Sequence, residues 1–299
     1  MLETEFCGIR LASPIFTASG CSNYGEELKD FGDLSQLGGV VGKTITPLER
    51  SGNPMPRISE TASGMINAIG LENVGIERFS AEMMDSFISL PCAKVVNIAG
   101  FSLEEYGFMA EQVTGRGFDL IEVNGSCPNV EGGGKVFCSD YDMTKSVTEL
   151  VKSKCSEPVM VKLSPNVSDI VSIARAAEEG GADAVSLVNT LVGTTVDWRQ
   201  KKRGTAFGTG GLSGPAIKPV SLRMVDQVCG QISIPVCAIG GISTAEDICE
   251  FLSVGAQIVQ MGTALFVNPS AAFEAATNLK KILIDEGLSS INDVVGSLR

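Results

Sequence analysis

The chain has 299 residues, 44% hydrophobic and 19% charged, enough apolar material for a large core and too much for a disordered polymer. Its 23 Lys and Arg against 35 Asp and Glu leave a formal charge of −12, the wrong sign for a nucleic-acid binder or a basic membrane-surface protein. There is no histidine, so acid–base chemistry falls to Cys, Lys, Asp, Glu, Ser or Tyr.

Met1-Leu2-Glu3-Thr4-Glu5 lacks the basic flank and apolar run of a signal peptide, and no run reaches the ~18 apolar residues that span a bilayer. A cytoplasmic chain is expected. Short apolar, β-branched runs predict buried parallel strands at 14–18, 39–43, 94–98, 120–124, 159–163, 184–188, 236–239 and 258–261. Amphipathic stretches between and after them predict helices near 24–36, 73–87, 102–115, 142–154, 168–179, 216–229, 243–253 and 270–285. Ser168, Ser243 and Asn268 stand where caps or near-caps belong, and Pro215 or Pro269 suits a first turn. Eight strand-then-helix units predict a (β/α)8 TIM barrel, with a doubly wound open sheet as the alternative. No linker or low-complexity tract divides the chain, so residues 1–299 are read as a single domain.

Three segments, 44–72, 125–141 and 190–215, are too long for a minimal barrel and rich in Gly, Pro, Ser, Thr and Asn. Each follows a predicted strand, which places it on the C-terminal rim where barrel active sites are built. The nine cysteines are irregularly spaced and include no C-x-x-C, arguing against a disulfide framework, a zinc site or an iron–sulfur cage. Reduced thiols and no metal are the expectation.

Gly42-Lys43-Thr44 fails as a phosphate loop, because Leu37 stands where its first glycine belongs. The run from Gly208 to Gly214 fails as a dinucleotide fingerprint, with Ser213 at its third glycine position. Lys43 still suggests a ligand, since a lysine at a barrel mouth needs an anion or a rim salt bridge to offset burial. Ile239-Gly240-Gly241-Ile242-Ser243 and Met261-Gly262-Thr263 follow strands seven and eight, where backbone N–H groups and a helix N-terminus suit a phosphate. In Asn124-Gly125-Ser126-Cys127-Pro128-Asn129, amides that both donate and accept flank a thiol at the end of strand four. That pattern suits a small amide-like heterocycle and a proton acceptor at Cys127. Cys21 and Cys138 stay open, and the remaining cysteines read as packing. Lys162, closing strand five, needs a negative partner: an anionic cofactor, or Asp183 or Glu122.

Ten ordered motifs spanning the chain carry a resemblance. They are Thr17-Ala18-Ser19-Gly20, Gly42-Lys43-Thr44, Asn67-Ala68-Ile69-Gly70-Leu71-Glu72-Asn73, Val96-Asn97-Ile98-Ala99-Gly100 and Asn124-Gly125-Ser126-Cys127-Pro128-Asn129. Val161-Lys162-Leu163-Ser164-Pro165, Val188-Asn189-Thr190, Gly210-Gly211-Leu212-Ser213-Gly214-Pro215, Ile239-Gly240-Gly241-Ile242 and Met261-Gly262-Thr263 follow. Together they resemble the class 1 dihydroorotate dehydrogenases, flavin (β/α)8 barrels of pyrimidine synthesis. The Asn67–Asn73 and Val96–Gly100 forms look more like the NAD-linked class 1B than the fumarate-linked class 1A. The membrane-bound class 2 carries an N-terminal extension and a catalytic serine, whereas this sequence begins almost at strand one and has Cys127.

The resemblance implies that Ser19, Lys43, Thr44, Asn97, Asn124, Lys162, Val188, Gly214, Gly240, Gly241, Gly262 and Thr263 hold FMN. Lys43, Asn67, Ala68, Ile69, Gly70, Leu71, Asn124, Asn189 and Thr190 would hold dihydroorotate or orotate, and Cys127 would be the catalytic base. It also implies closure of the 125–141 loop over the site, and a partner subunit with FAD and a 2Fe–2S cluster that passes electrons to NAD. A homodimer within a heterotetramer would result. Cys138 departs from the family pattern, which leads one to expect a small residue such as glycine there. Two other readings are a flavin barrel acting on dihydrouracil and a non-redox phosphate-binding barrel.

Overall fold

Period-two alternation along each buried strand decides which side chains fill the barrel and which face the helices. In the computed structural model, which describes residues 1–125 and 137–299, eight parallel strands close into one barrel. Numbered in chain order they are β1 (Ile15–Thr17), β2 (Gly39–Val41), β3 (Ala93–Ile98), β4 (Leu120–Asn124), β5 (Val159–Lys162), β6 (Ala184–Leu187), β7 (Val236–Ile239) and β8 (Ile258–Met261). The predicted closed barrel is therefore found, and the open sheet is excluded.

Val95, Leu120, Met160, Ala184, Cys237 and Ile258 pack together inside the barrel, while their neighbours Val96, Ile121, Val161, Val185, Ala238 and Val259 join the helix-facing core. An N-terminal hairpin, Thr4–Phe6 paired with Ile9–Leu11, contributes Phe6 and Leu11 to the interior cluster. Two residues further along, five of these six strands turn polar inside, at Asn97, Glu122, Lys162, Ser186 and Gln260, while β7 stays apolar at Ile239. The barrel is thus apolar below and polar toward its C-terminal mouth.

Outside the strands lie α1 (Gly75–Glu82), α2 (Met84–Ile88), α3 (Leu103–Val113), α4 (Tyr141–Lys154), α5 (Ile170–Glu179), α6 (Lys218–Cys229), α7 (Ala245–Ser253), α8 (Ala264–Val267) and α9 (Ala271–Asp285). In α5 the residues Ile170, Ile173, Ala174 and Ala177 make one buried stripe, the spacing of an amphipathic helix. Its cap is Asp169, whose carboxylate accepts from the N–H groups of Val171 and Ser172, and Ser168 stands one residue before it. Thr244 caps α7 through a capping box with Asp247, so Ser243 lies one residue outside it. Pro215 does open a turn, a short 3-10 segment leading into α6.

The predicted helix at 24–36 is replaced by two 3-10 turns, Glu26–Asp30 and Leu34–Gln36. Gly32 interrupts the helical pattern, and Asp33 starts a fresh turn by accepting from the Ser35 N–H. The rim segments 44–72 and 190–215 are not independent loops. They supply Ile58–Thr61 and Gly64–Asn67, and Leu191–Gly193 and Gly210–Ser213, which pair across more than 140 positions of chain into one four-stranded antiparallel sheet. Asn67 stands opposite Gly211 in that sheet, so the two loops are locked together over the mouth. Of the third segment, residues 126–136, including Cys127, lie outside the described residues, and so does the expected loop closure.

Candidate active site

The C-terminal ends of the strands and the rim sheet enclose a cavity of about 450 Å3, within the range typical of small-molecule sites. Its wall on the β1–β2–β4–β6 side is a chain of polar contacts. Ser19 Oγ donates to the Gly42 carbonyl (2.8 Å) and lies 3.2 Å from Thr44 Oγ1. Asn124 Nδ2 donates to Thr44 Oγ1 (3.3 Å), and Asn189 Nδ2 donates to Asn124 Oδ1 (3.4 Å). Amides fixed in this way present both donors and acceptors to a ligand edge. Lys43 and Lys162 also line the cavity and give it positive charge within an acidic protein.

Asn73 organises the wall formed by residues 67–71. Its Oδ1 accepts from the Gly75 N–H (2.9 Å) and the Thr46 N–H (3.2 Å), and its Nδ2 donates to the Leu71 carbonyl (2.7 Å). One buried amide therefore ties this segment to the residues that follow β2.

The turns after β7 and β8 have the features of an anion cradle. Gly240 and Gly241 adopt φ of +120° and +79°, conformations that side chains avoid. Among the described residues, the N–H groups of Gly240, Gly241, Gly262 and Thr263 meet no acceptor within the chain. Just ahead of α7, Asp247 Oδ2 already accepts from the N–H groups of Ser243 and Thr244 (2.8 and 2.9 Å). Thr263 Oγ1 donates to Ser213 Oγ (2.8 Å), joining the β8 turn to the rim sheet.

The structure brings together Ser19, Lys43, Thr44, Asn124, Lys162, Val188, Gly214, Gly240, Gly241, Gly262 and Thr263 around this one cavity. It adds Asn67, Ile69, Gly70, Leu71, Asn189 and Thr190 from the substrate set. Two predicted residues do not line it. Asn97 is wholly buried and donates to Glu122, and Ala68 is buried with its backbone bonded to Arg57 and Asn53. Sequence reasoning missed Ser213, Ile217, Ile242, Ser243, Cys21 and Phe266, which also line the cavity. Ser213 and Ile242 lie inside recognised motifs. Phe266 had no local signal, since it reaches the site only because α8 follows the β8 turn.

Cys127 lies outside the described residues. The eight described thiols all have pKa values pushed above the ordinary range, with burial the largest cause. Cys21 lines the cavity, and burial raises it to about 11 although Lys162 and Lys43 pull it down. It is therefore protonated at neutral pH. Cys138 is buried beside Gly125, its N–H donating to the Gly125 carbonyl (2.9 Å), and its thiol is pushed up to about 12.

The departure at Cys138 now has a steric explanation. A Cβ on Gly125 would overlap Cys138 Sγ, so the sulfur fills the space that glycine leaves. Gly125→Ala should destabilise the fold by about 1–3 kcal/mol through overpacking. Adding Cys138→Gly should recover most of that loss in urea titrations, and additive effects would show that the two positions do not share this space.

The family model for dihydroorotate dehydrogenase matches residues 1–283. Three relatives carry the name dihydroorotate dehydrogenase B (NAD(+)), catalytic subunit. That of Oceanobacillus iheyensis is 46% identical over 297 residues, covering 98% of this chain and 97% of its own. That of Geotalea daltonii is 45% identical over 304 residues, covering 100% and 98%. That of Solidesulfovibrio magneticus is 48% identical over 297 residues, covering 98% and 96%.

Proposed function

The chain belongs to the dihydroorotate dehydrogenase family, and on that premise we propose that it oxidises dihydroorotate to orotate in pyrimidine biosynthesis as the catalytic subunit of an NAD-linked enzyme. The observation that carries this reading is the single cavity in which unpartnered N–H groups, two lysines and a belt of fixed amides converge. These residues fit FMN. The N–H groups of Gly240, Gly241, Gly262 and Thr263 suit its phosphate, and Ser19, Thr44, Lys162, Val188 and Gly214 suit the rest of it. When bound, FMN supplies the acceptor for the hydride leaving C6 of dihydroorotate.

The chain's own residues do the remainder. Lys43, Asn67, Asn124, Asn189 and Thr190 hold the pyrimidine, with amides matched to its alternating N–H and C=O edges and a lysine to its carboxylate. Cys127 takes the proton from C5 as the C6 hydrogen leaves with its electron pair, so the C5–C6 bond becomes double. Lys162 places positive charge where electron density accumulates, and a preorganised charge of this kind contributes without reorganising.

Anaerobic mixing of the FMN-loaded chain with dihydroorotate tests the reading. Bleaching of the flavin absorbance is expected, and its absence with dihydroorotate but not dihydrouracil would transfer the site to a different pyrimidine. A partner subunit carrying FAD and a 2Fe–2S cluster, arranged with this chain as a homodimer inside a heterotetramer, would supply the route for electrons to NAD. Among the described residues no group of His, Cys, Asp and Glu is placed to hold a metal, and no helix is long and apolar enough to cross a membrane. The isolated flavin-loaded chain should reduce NAD far more slowly than the reconstituted pair. Equal rates would remove the need for the partner.

A further inference from the structure

Beneath the cavity lies a buried carboxylate to which the mechanism gives no role. Glu122, on β4, is fully inaccessible inside the barrel, among the buried polar side chains Asn97, Lys162, Ser186 and Gln260. It accepts from Asn97 Nδ2 (2.5 Å), Gln260 Nε2 (2.7 Å) and Ser186 Oγ (2.8 Å), three neutral donors on β3, β8 and β6. Lys162 Nζ stands 3.7 Å from the same carboxylate.

Two details show how the cluster works. Asn97 Oδ1 and Gln260 Oε1 are buried without a partner, which happens because both amides turn their NH2 groups to Glu122. Both amides and Ser186 therefore present donors to the carboxylate. The second detail is the distance to Lys162, which lies beyond hydrogen-bond range although well within Coulomb range. Lys162 also lines the cavity. Cys237, the other titratable group packed against the cluster, has its thiol raised well above the ordinary range by burial and by Glu122, so it adds no charge.

We propose that Glu122 is a positioning residue for Lys162. Asn97, Ser186 and Gln260 saturate the carboxylate, so it offsets the lysine's charge through space without capturing its hydrogens, and the ammonium keeps its donors directed at the bound flavin. This rests on the flavin reading given above and extends it to the control of the flavin's midpoint potential.

The cage makes a prediction of opposite signs. Glu122→Gln removes the offsetting charge and exposes the flavin to the full field of Lys162. The midpoint potential of bound FMN should rise, with the oxidised-to-reduced ratio at a fixed potential changing about tenfold, or about 30 mV for a two-electron couple. Gln260→Met removes one donor while leaving the charge. The carboxylate then draws Lys162 down into hydrogen-bond range, and the potential should fall by a similar factor. A merely structural cluster would change thermal stability in both variants while leaving the potential alone, or would move it the same way in both. Either of those results overturns the proposal. If only one variant folds and binds FMN, the sign of its shift decides. Failure of the unsubstituted chain to bind FMN would instead defeat the flavin reading itself.

Discussion

Cys127→Ala leaves FMN bound and slows flavin bleaching by dihydroorotate by about 10²–10⁴-fold, the usual contribution of a positioned general base. Apart from Asn124, the residues offered for cofactor binding lie outside β4, so removing one thiol from the segment after it does not dismantle the cavity. No described thiol can substitute. Cys21 is the one described thiol lining the cavity, and with its pKa near 11 it is almost entirely protonated at neutral pH. Stopped-flow absorbance under anaerobic conditions measures the effect directly. A rate within a fewfold of the parent would mean that the proton leaves C5 by another route.

The second large effect is expected at the β7 turn. Gly241 has φ of +79°, and a Cβ there would lie 2.6–2.7 Å from Lys218, including its backbone N and Cα. Lys218 begins α6, so neither side can move without shifting that helix or the turn. Gly241→Val should therefore weaken FMN binding by about 10–100-fold, the loss expected when one or two hydrogen bonds to a charged phosphate are misaligned. Titration of the apoprotein by flavin fluorescence reads this out. Gly287→Ala is the matching control, since Gly287 has φ of +69° but a Cβ there would meet nothing within 4 Å. It carries the backbone strain alone and should leave FMN affinity unchanged. An equal loss in both variants would assign the effect to general destabilisation.

Much of the site was legible locally because barrel chemistry sits at strand ends. Gly240, Gly241, Gly262 and Thr263 could be assigned from glycine turns after two predicted strands, and Asn124 and Lys162 from polar residues closing apolar runs. Asn97 shows the limit of that logic. It also follows an apolar run, yet its side chain points into the barrel toward Glu122 instead of the cavity. The choice of Lys162's carboxylate was equally open in one dimension. Asp183 turns out to pair with Lys152 at 2.5 Å, which leaves Glu122 as the group beside Lys162.

Short apolar, β-branched runs with turn glycines at their ends determined the eight strands, because those signals act over a few residues and survive in any one-dimensional reading, whereas closure into a barrel came from the tertiary structure. The joining of segments 44–72 and 190–215 into one sheet, the saturation of Glu122 by three separate strands and the exchange of volume between Gly125 and Cys138 were decided only by the folded chain. Each depends on groups distant in sequence meeting within a few ångströms, and hydrogen bonding and steric exclusion act only at that range.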